Sequence, residues 1–280
     1  MERPAPGPLR DGLVTASSAA VAVGLVALLA GLAFKIGAVP GHFWVPDVTA
    51  GTPPAVAAIV TTIPKIGGLV AVYRLLLVAV PLETVDWSLL IAVLAAASMT
   101  LGNLAAFFQT SVQRLLAYST IGQVGYLLVA VAVAWRTELA QPALLFYVAA
   151  YAVTDLGAFA VVAELPHAGT IEDYRGAARR HPALIGALVV CRFGLIGTPP
   201  TAVFVGKLTV FTAAVDGGLA WLAVVAIAGR HVVGCRRLCR RGCSRPHRSA
   251  RRPAAAADVG WTDRWVLMVV TEDGFKPGPA

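Results

Sequence analysis

Charged residues are scarce in this 280-residue chain, where they make up 14% of the sequence against 58% hydrophobic residues. Together with a mean hydropathy of +0.74, this composition lies outside the range of soluble domains and indicates a membrane protein. The net charge of +8 comes from the end of the chain, since residues 1–228 carry 12 basic and 11 acidic residues and residues 229–280 carry 11 and 4. The hydrophobic body is therefore nearly neutral, which excludes nucleic acid as its partner.

The sequence also lacks the motifs of common soluble enzymes. It contains no GxGxxG and no GxxxxGK[ST] motif, so it shows no nucleotide site of its own, and it offers no metal-binding, Ser/His/Asp or haem-ligand pattern. Four cysteines without a clear pairing do not indicate a redox compartment. Two glycine pairs predict close contacts between helices instead of phosphate loops: Gly67-Gly68 and Gly122/Gly125.

Long apolar runs are what the chain does contain. A bilayer core about 30 Å thick needs roughly 20 apolar residues in a helix. The runs predict an all-α, polytopic transmembrane bundle with discontinuous helices and six to seven spans. We expect a polar leader (1–14), a transmembrane domain (15–228) and a basic tail (229–280), with helices at 14–36, 54–80, 87–108, 115–135, 142–165, 182–214 and a seventh from 218 that fails after 228.

The loops between these helices predict an orientation. Because helices alternate in direction, the loops near 47–52, 109–114 and 166–181 share one face, and those near 81–86 and 136–141 share the other. The first face carries four arginines, whereas the second carries one, with another arginine one turn inside a helix end. The positive-inside rule therefore places the first face in the cytoplasm.

Lysine is rare, with four residues against 19 arginines, and three of the four interrupt apolar runs. Lys65 lies near the middle of the second predicted helix, where a lysine costs at least about 2.5–3.5 kcal/mol and normally faces the protein interior or water. The neighbouring Pro64 opens polar backbone around the amine. Burial disfavours the charged amine, so Lys65 is suited to take up and release a proton.

Lys35 and Lys207 each lie beside a predicted helix break. Lys35 precedes the Pro40-Gly41 pair, and Lys207 ends a segment that contains two prolines and two glycines (197–207). Backbone groups freed at such breaks are tolerated in a membrane where they line a polar cavity or an ion path. We expect the three amines to form a hydrated proton path; the alternative for Lys35 is that it snorkels to the interface from its helix end.

Other polar residues in the predicted helices are weaker candidates. His42 is suited to relay protons near neutral pH, or else belongs to an aromatic belt at the interface. Gln123 and Tyr126 either hold water or serve interhelical packing. Asp155 is an intramembrane acid and a candidate partner for a lysine, whereas the sequence identifies no partner for Arg192.

Five stretches follow one another along the chain: GLAFKIGAVPGHFWVPDV (31–48), PKIGGLVAVYRLL (64–76), MTLGNLAAFFQTSVQRLLAYSTIGQVGYLL (99–128), LFYVAAYAVTDLGAFAVV (145–162) and GTPPTAVFVGKLTVF (197–211). In this order they resemble the subunit N family of bacterial NADH-quinone oxidoreductase. These are antiporter-like, proton-translocating subunits of respiratory complex I, related to subunits of cation/proton antiporters. The resemblance covers about residues 17–228, and the Gly-Lys pair in the last stretch favours subunit N over its nearest paralogue.

The resemblance implies a role for four residues of this chain. Lys35 matches the lysine before the break in the discontinuous seventh helix, Lys65 the lysine of the eighth, and Lys207 the lysine of the discontinuous twelfth. His42 matches the histidine after the first break. The resemblance implies that these residues relay protons along a central hydrophilic axis, driven by quinone reduction elsewhere in the complex.

The same resemblance implies the setting of the chain. We expect a multi-pass protein of the bacterial plasma membrane, with the lipid bilayer and the other membrane subunits of NADH-quinone oxidoreductase as partners. NADH, flavin, iron–sulfur centres and quinone belong to other subunits, so we expect no cofactor on this chain. A subunit of a multi-subunit cation/proton antiporter, and a non-transporting or scaffolding fragment, are the alternatives.

The chain departs from the family pattern in several places. The resemblance implies a match from the seventh helix into the thirteenth, so we expect the given sequence to hold no counterpart of the first helical repeat or of the glutamate that pairs with its lysine. Gln123 stands where many members have histidine, and Arg192 replaces an apolar residue.

The tail differs from the rest of the sequence. Residues 229–257 hold nine arginines, no lysine and three of the four cysteines, where the family continues an apolar helix. Such a composition is typical of a shifted reading frame in GC-rich DNA, so we expect a frameshift near codon 228 or a disordered tail. The alternatives are contact of the arginines with anionic lipid or nucleic acid, and metal binding by Cys235, Cys239 and Cys243, whose spacing is not that of a CxxC site.

Overall fold

The computed structural model of the chain describes residues 18–78, 87–166 and 168–227, which are almost entirely helical. The predicted leader and nearly all of the tail lie outside the described residues. Within those ranges no strand forms beyond one isolated β-bridge, so the expected all-α class is confirmed. The helices are α1 (Ser18–Ile36), α2 (Trp44–Gly51), α3 (Pro54–Val78), α4 (Trp87–Ala106), α5 (Val112–Ala132), α6 (Ala140–Glu164), α7 (Ile171–Arg180), α8 (Pro182–Ile196), α9 (Ala202–Asp216) and α10 (220–227).

Five of the described helices, α1, α3, α4, α5 and α6, are long and apolar enough to cross a membrane. The segment expected over residues 182–214, with a break at its two prolines, forms two half-helices, α8 and α9, of 15 residues each. Proline lacks a backbone N–H and its ring clashes with the preceding turn, so the Pro199-Pro200 pair ends the hydrogen-bond ladder. The two half-helices together supply the sixth span, which agrees with the expected six to seven.

Helix α5 is the centre of the bundle. Every residue from 120 to 133 is buried, and the helix contacts α2, α3, α4, α6 and α9. A helix surrounded in this way holds polar side chains only if other protein groups satisfy them. The polar residues of α5 therefore mark where interior chemistry takes place.

The predicted helix contacts at glycines are confirmed at three of four positions. A Cβ on Gly125 would lie 2.6 Å from a backbone nitrogen of α4, and one on Gly122 would lie 3.1 Å from the Asn103 side chain. One on Gly68 would clash with the Ile36 side chain. The prediction is wrong for Gly67, where a Cβ would meet nothing within 4 Å. Gly67 lies on the exposed side of α3.

The loops meet at two opposite faces of the bundle, as the alternation of helices predicts. At one face Arg114 forms an ion pair with Asp47 at 3.0 Å, and Ser111 forms a β-bridge with Thr170. At the other face Arg136 donates a hydrogen bond to a backbone carbonyl in the turn after α9. The grouping of the loops near 47–52, 109–114 and 166–181 is confirmed. The loop near 81–86 lies outside the described residues, and the cytoplasmic location of the first face stays a prediction.

A short helix, α7, occupies the expected loop at 166–181. Its start is fixed by a capping box in which Asp173 accepts hydrogen bonds from the backbone and hydroxyl of Thr170. These bonds, with one from the backbone of Gly169, hold the pKa of the Asp173 carboxyl below its usual value. The Thr-x-x-Asp spacing was the sequence pattern that could have predicted this helix.

Candidate functional site

Two helix breaks lie inside the bundle. The first separates α1 from α2 and the second separates α8 from α9, and each begins with a glycine in the left-handed region, Gly37 at φ 72° and Gly197 at φ 78°. Only glycine adopts this conformation without steric cost, which is why the helices end at these residues. Each break also contains one cis X–Pro peptide bond. The two breaks expected from the sequence are thereby confirmed.

Lys65 on α3 is buried beside the first break, with 1% of its surface exposed. A Cβ placed on Gly37 would lie 3.9 Å from the Lys65 Cε atom, so the break packs directly against the lysine stem. The Lys65 amine donates a hydrogen bond to the hydroxyl of Thr120 on the central helix α5. The amine therefore points into the bundle and away from lipid, as the cost of a central lysine requires.

A buried carboxylate shares this cluster. Asp155 on α6 is 0% exposed, and its Oδ2 atom accepts hydrogen bonds from Thr61 at 2.9 Å, Thr62 at 3.2 Å and Tyr151 at 3.4 Å. Asp155 and Lys65 interact electrostatically, but in the described part of the chain no ion pair within 4.0 Å joins them. Hydroxyl groups stand between the two charges.

Lys207 on α9 is buried at the second break, with 4% of its surface exposed. Its amine donates hydrogen bonds of 3.1 Å to the carbonyls of Leu195 and Ile196 and lies 4.4 Å from the ring centroid of Tyr126. Carbonyls in the last turn of a helix have no partner within the helix, and this end of the helix dipole is negative. The end of α8 and the aromatic face both favour a cation at this position.

Polar side chains of α5 and α6 connect the two lysine clusters. Gln123 donates a hydrogen bond to the Leu195 carbonyl, which also accepts from Lys207, and accepts one from the Tyr147 hydroxyl. Thr120 and Gln123 lie one turn apart on α5, as Tyr147 and Tyr151 do on α6. The Thr120 hydroxyl also contacts that of Tyr151. Polar side chains of α5 and α6 therefore lie between the two buried lysines, one helical turn apart on each helix.

The polar groups of the first break are satisfied from two directions. The Val39 N–H donates to the hydroxyl of Ser98, a buried residue of α4, at 3.0 Å. The Trp44 indole, at the start of α2, donates to the Phe34 carbonyl at 2.8 Å. These contacts let a backbone without a helical ladder persist at membrane depth.

The structure places the remaining sequence candidates differently. Lys35 is exposed in the last turn of α1, and the described structure does not bring it to the other two amines. His42 lies half-buried in the first break, and its buried Nδ1 has no hydrogen-bond partner among the described residues. Arg192 is half-buried on α8. Among the described residues no cluster of histidine, cysteine and carboxylate side chains could hold a metal ion.

Comparison with known protein families identifies the family of this chain. The transmembrane family of NADH:quinone oxidoreductase and Mrp antiporter proteins matches residues 11–231. The chain belongs to this family. The expected membership is confirmed, and with five long apolar helices it makes the chain a multi-pass protein of the plasma membrane.

Relatives within the NADH:quinone oxidoreductase/Mrp family come from both branches. NADH-quinone oxidoreductase subunit N 1 of Streptomyces griseus is 66% identical over 216 residues, which cover 77% of this chain and 46% of that protein. A chain of respiratory complex I from Thermus thermophilus is 33% identical at a TM-score of 0.64, with 90% of this chain and 55% of that chain covered. A chain of the Mrp complex from Dietzia is 27% identical at a TM-score of 0.67, with 79% and 41% covered. This chain thus spans about half the length of the relatives it matches.

Several residues of the polar region between Lys65 and Lys207 were not predicted from the sequence. Thr61, Thr62, Thr120, Tyr147 and Tyr151 all contribute hydroxyl groups to it. Their helical spacing in otherwise apolar segments was the available signal, since Tyr147 and Tyr151 lie four residues apart and therefore on one face of α6. Gln123 and Tyr126, which the sequence left open between water binding and packing, both lie at the Lys207 cluster.

Proposed function

We propose that this chain translocates protons across the plasma membrane as subunit N of an NADH:quinone oxidoreductase. The observation that carries the proposal is the burial of Lys65 and Lys207 inside a membrane bundle, with polar side chains of α5 and α6 between them. Ionisable groups at this depth are expensive and mark ion routes. The 66% identity to a protein named as subunit N supports the choice of complex.

Each lysine has a distinct role in the proposed route. Lys65, held by a single hydroxyl, is the central relay that takes up and releases the proton. Lys207, held by two carbonyls and an aromatic face, is the terminal relay. Quinone reduction in other subunits supplies the driving force, and this chain contributes no redox centre.

Lys35 and His42 belong to the entry side of this route. The first break lies between Lys35 and Lys65, and the stem of Lys65 packs against it at Gly37. The buried Nδ1 of His42 offers a group in the break that can accept or donate a proton. Because the Lys35 side chain is exposed, the role requires polypeptide from outside this chain to cover it, which agrees with other membrane subunits as partners.

The test replaces Lys65 or Lys207 with arginine, whose side chain does not release its proton. Arginine keeps the positive charge but is not deprotonated in proteins, so Lys65→Arg and Lys207→Arg block a relay while retaining the charge. The chain is expressed in a bacterium that lacks its own subunit N, and inside-out membrane vesicles are assayed for NADH-driven proton uptake and for quinone reduction. We expect the chain to purify with the oxidoreductase and both variants to lose proton uptake.

A surface substitution provides the matched control. Arg114→Lys exchanges the same two residue types in an exposed ion pair, which contributes little to stability, and should leave proton uptake unchanged. Absence of the chain from the purified oxidoreductase, or undiminished uptake in the Lys65 variant, would contradict the proposal.

A cation/proton antiporter subunit is the second candidate, supported by the likeness to the Mrp complex chain. The same vesicles distinguish the two functions. Proton movement driven by a sodium gradient in the absence of NADH favours the antiporter, whereas proton movement that requires NADH favours the oxidoreductase.

A further inference from the structure

Asp155 is a buried charge that the proposed route does not use. It lies on α6 with no exposed surface, and three hydroxyls converge on its Oδ2 atom. Its Oδ1 atom is also buried and has no hydrogen-bond partner among the described residues. A carboxylate with one oxygen left without a donor is costly to keep ionised, whereas the neutral acid carries no charge to desolvate.

Hydroxyl groups connect this carboxyl to the Lys65 amine. Lys65 donates to the Thr120 hydroxyl, the Thr120 hydroxyl contacts the Tyr151 hydroxyl, and Tyr151 lies 3.4 Å from the Asp155 Oδ2 atom. A hydroxyl can accept a proton on one side and release one on the other, so each link is able to pass a proton.

Each of the two linking hydroxyls also lies beside a backbone carbonyl. The Thr120 hydroxyl lies 2.8 Å from the Ala117 carbonyl, and the Tyr151 hydroxyl lies 2.9 Å from the Thr61 carbonyl and 3.4 Å from the Asp155 Oδ2 atom. Rotation about the two C–O bonds turns both hydrogens toward the carboxyl without movement of any heavy atom. Passage of a proton therefore needs only hydroxyl rotation, which is fast.

We propose that Asp155 is a second proton-binding group of the Lys65 site, which exchanges its proton with Lys65 through the hydroxyls of Thr120 and Tyr151. The inference rests on the proposed function, in which protons reach Lys65. In the exchange an N–H bond of the ammonium breaks as an O–H bond forms on Thr120. Each hydroxyl then passes its own proton onward, and the last O–H bond forms on the carboxyl.

The exchange conserves charge inside the membrane. The pair begins as an ammonium and a carboxylate and ends as an amine and a neutral acid, so its net charge is zero at both ends. Low dielectric surroundings favour the neutral pair unless the ion pair makes direct contact, and here it does not. The titratable groups that interact with Asp155 are Lys65 on α3 and Tyr151 on α6, and Tyr151 in turn interacts with Tyr147. On other helices that pack against α6, Cys191 of α8 lies beside Gly157 and Lys207 of α9 is hydrogen-bonded at the second break.

Infrared difference spectroscopy on the full chain in lipid vesicles tests the inference. A neutral carboxylic acid gives a C=O stretching band that an ionised carboxylate lacks. We expect a pH-dependent band of this kind that shifts in D₂O and shifts again when aspartate carries a ¹³C-labelled carboxyl group. The band should be lost in Asp155→Asn and retained in Asp155→Glu. Isotope labelling assigns the band to aspartate in the unaltered chain, and the two Asp155 variants assign it to Asp155.

Three further variants test the link to Lys65. In Lys65→Met the band should be larger at neutral pH, because the nearby positive charge that favours the carboxylate is gone. In Thr120→Val and Tyr151→Phe the band should rise roughly 10²-fold or more slowly after a pH jump, since a positioned proton-transfer group has been removed. Thr212→Val, which removes an exposed hydroxyl bonded to its own helix, is the matched control and should match the unaltered rate.

Absence of an aspartate band that depends on Asp155, or equal rates in the two relay variants and the control, would overturn the inference. These outcomes are separate from failure of the proposed function. Proton pumping that depends on Lys65 without the Asp155 band refutes only the inference. The Asp155 band in a chain that does not pump supports the inference and refutes the function.

Discussion

The second helix break allows a prediction in which the control has the same backbone as the test. Gly197 and Gly218 adopt nearly equal left-handed conformations, with φ of 78° and 76°. Alanine in that region costs roughly 1–2 kcal/mol, so Gly197→Ala and Gly218→Ala introduce the same backbone strain. Only the first of these glycines packs against the Lys207 side chain.

The contacts at each site set the difference between the two variants. A Cβ on residue 197 would lie 2.9 Å from the Lys207 Cδ and 3.3 Å from its Nζ, whereas a Cβ on residue 218 would lie 3.7 Å from the Arg136 side chain. Ordinary contacts begin at 3.4 Å, so the lysine moves by about 0.5 Å. A shift of that size breaks at least one of its two 3.1 Å hydrogen bonds. Loss of a hydrogen bond to a charged group costs a further roughly 1.5–3 kcal/mol.

Two measurements on the same preparations check this prediction. SDS unfolding of the reconstituted chain should show a small and similar loss of stability in both variants, which reflects the shared backbone strain. Only Gly197→Ala should show an additional loss of stability. NADH-driven proton uptake in vesicles that contain the assembled oxidoreductase should fall in Gly197→Ala and persist in Gly218→Ala. Equal stability and equal uptake in the two variants would refute the reasoning that the break positions the Lys207 amine.

Three further predictions concern the bundle itself. Gly125→Ala should destabilise the chain by about 1–3 kcal/mol in SDS unfolding, because the added Cβ would lie 2.6 Å from the backbone of α4. The control Gly67→Ala, whose Cβ would meet nothing within 4 Å, should be neutral or stabilise the chain by up to about 1 kcal/mol. Equal effects of the two substitutions on stability would contradict the prediction. Ser98→Ala removes the acceptor of the Val39 N–H and should speed amide exchange across the first break, whereas unchanged exchange would show that the contact is dispensable. The pKa of the Asp173 carboxyl is lowered in the folded chain, so its capping hydrogen bonds stabilise α7 at pH values above the usual carboxyl pKa of 3.8 and are lost as the pH falls below it. Amide hydrogen exchange in α7 should therefore become faster in that pH range. Asp173→Asn should remove this pH dependence.

Features governed by solvation cost could be predicted from the sequence. The burial of Lys65 follows from the price of a charge at membrane depth, and the breaks follow from proline and glycine in apolar runs. The pairing of loops at each face follows from the alternation of helices alone. These rules act on single segments, so they need no knowledge of how the helices pack.

Features that depend on packing were beyond the same rules. A threonine in a transmembrane helix satisfies its own hydroxyl through the preceding turn, as Thr100 and Thr212 do on exposed faces. Nothing in the local sequence separates them from Thr120, which additionally accepts from Lys65. Likewise, the position of Lys35 beside a predicted helix break does not reveal that its side chain is exposed.

The two buried lysines are stabilised in the membrane by different groups. At Lys207 the second helix break provides the hydrogen-bond acceptors, because the amine donates to carbonyls that α8 leaves unpaired at its end. At Lys65 the break supplies only packing against the stem, and the amine has a hydroxyl as its acceptor. The Asp155 carboxyl interacts with this amine from across two hydroxyls. A proton on Lys207 is therefore held by fixed dipoles, whereas a proton on Lys65 is held by groups that can themselves pass it on.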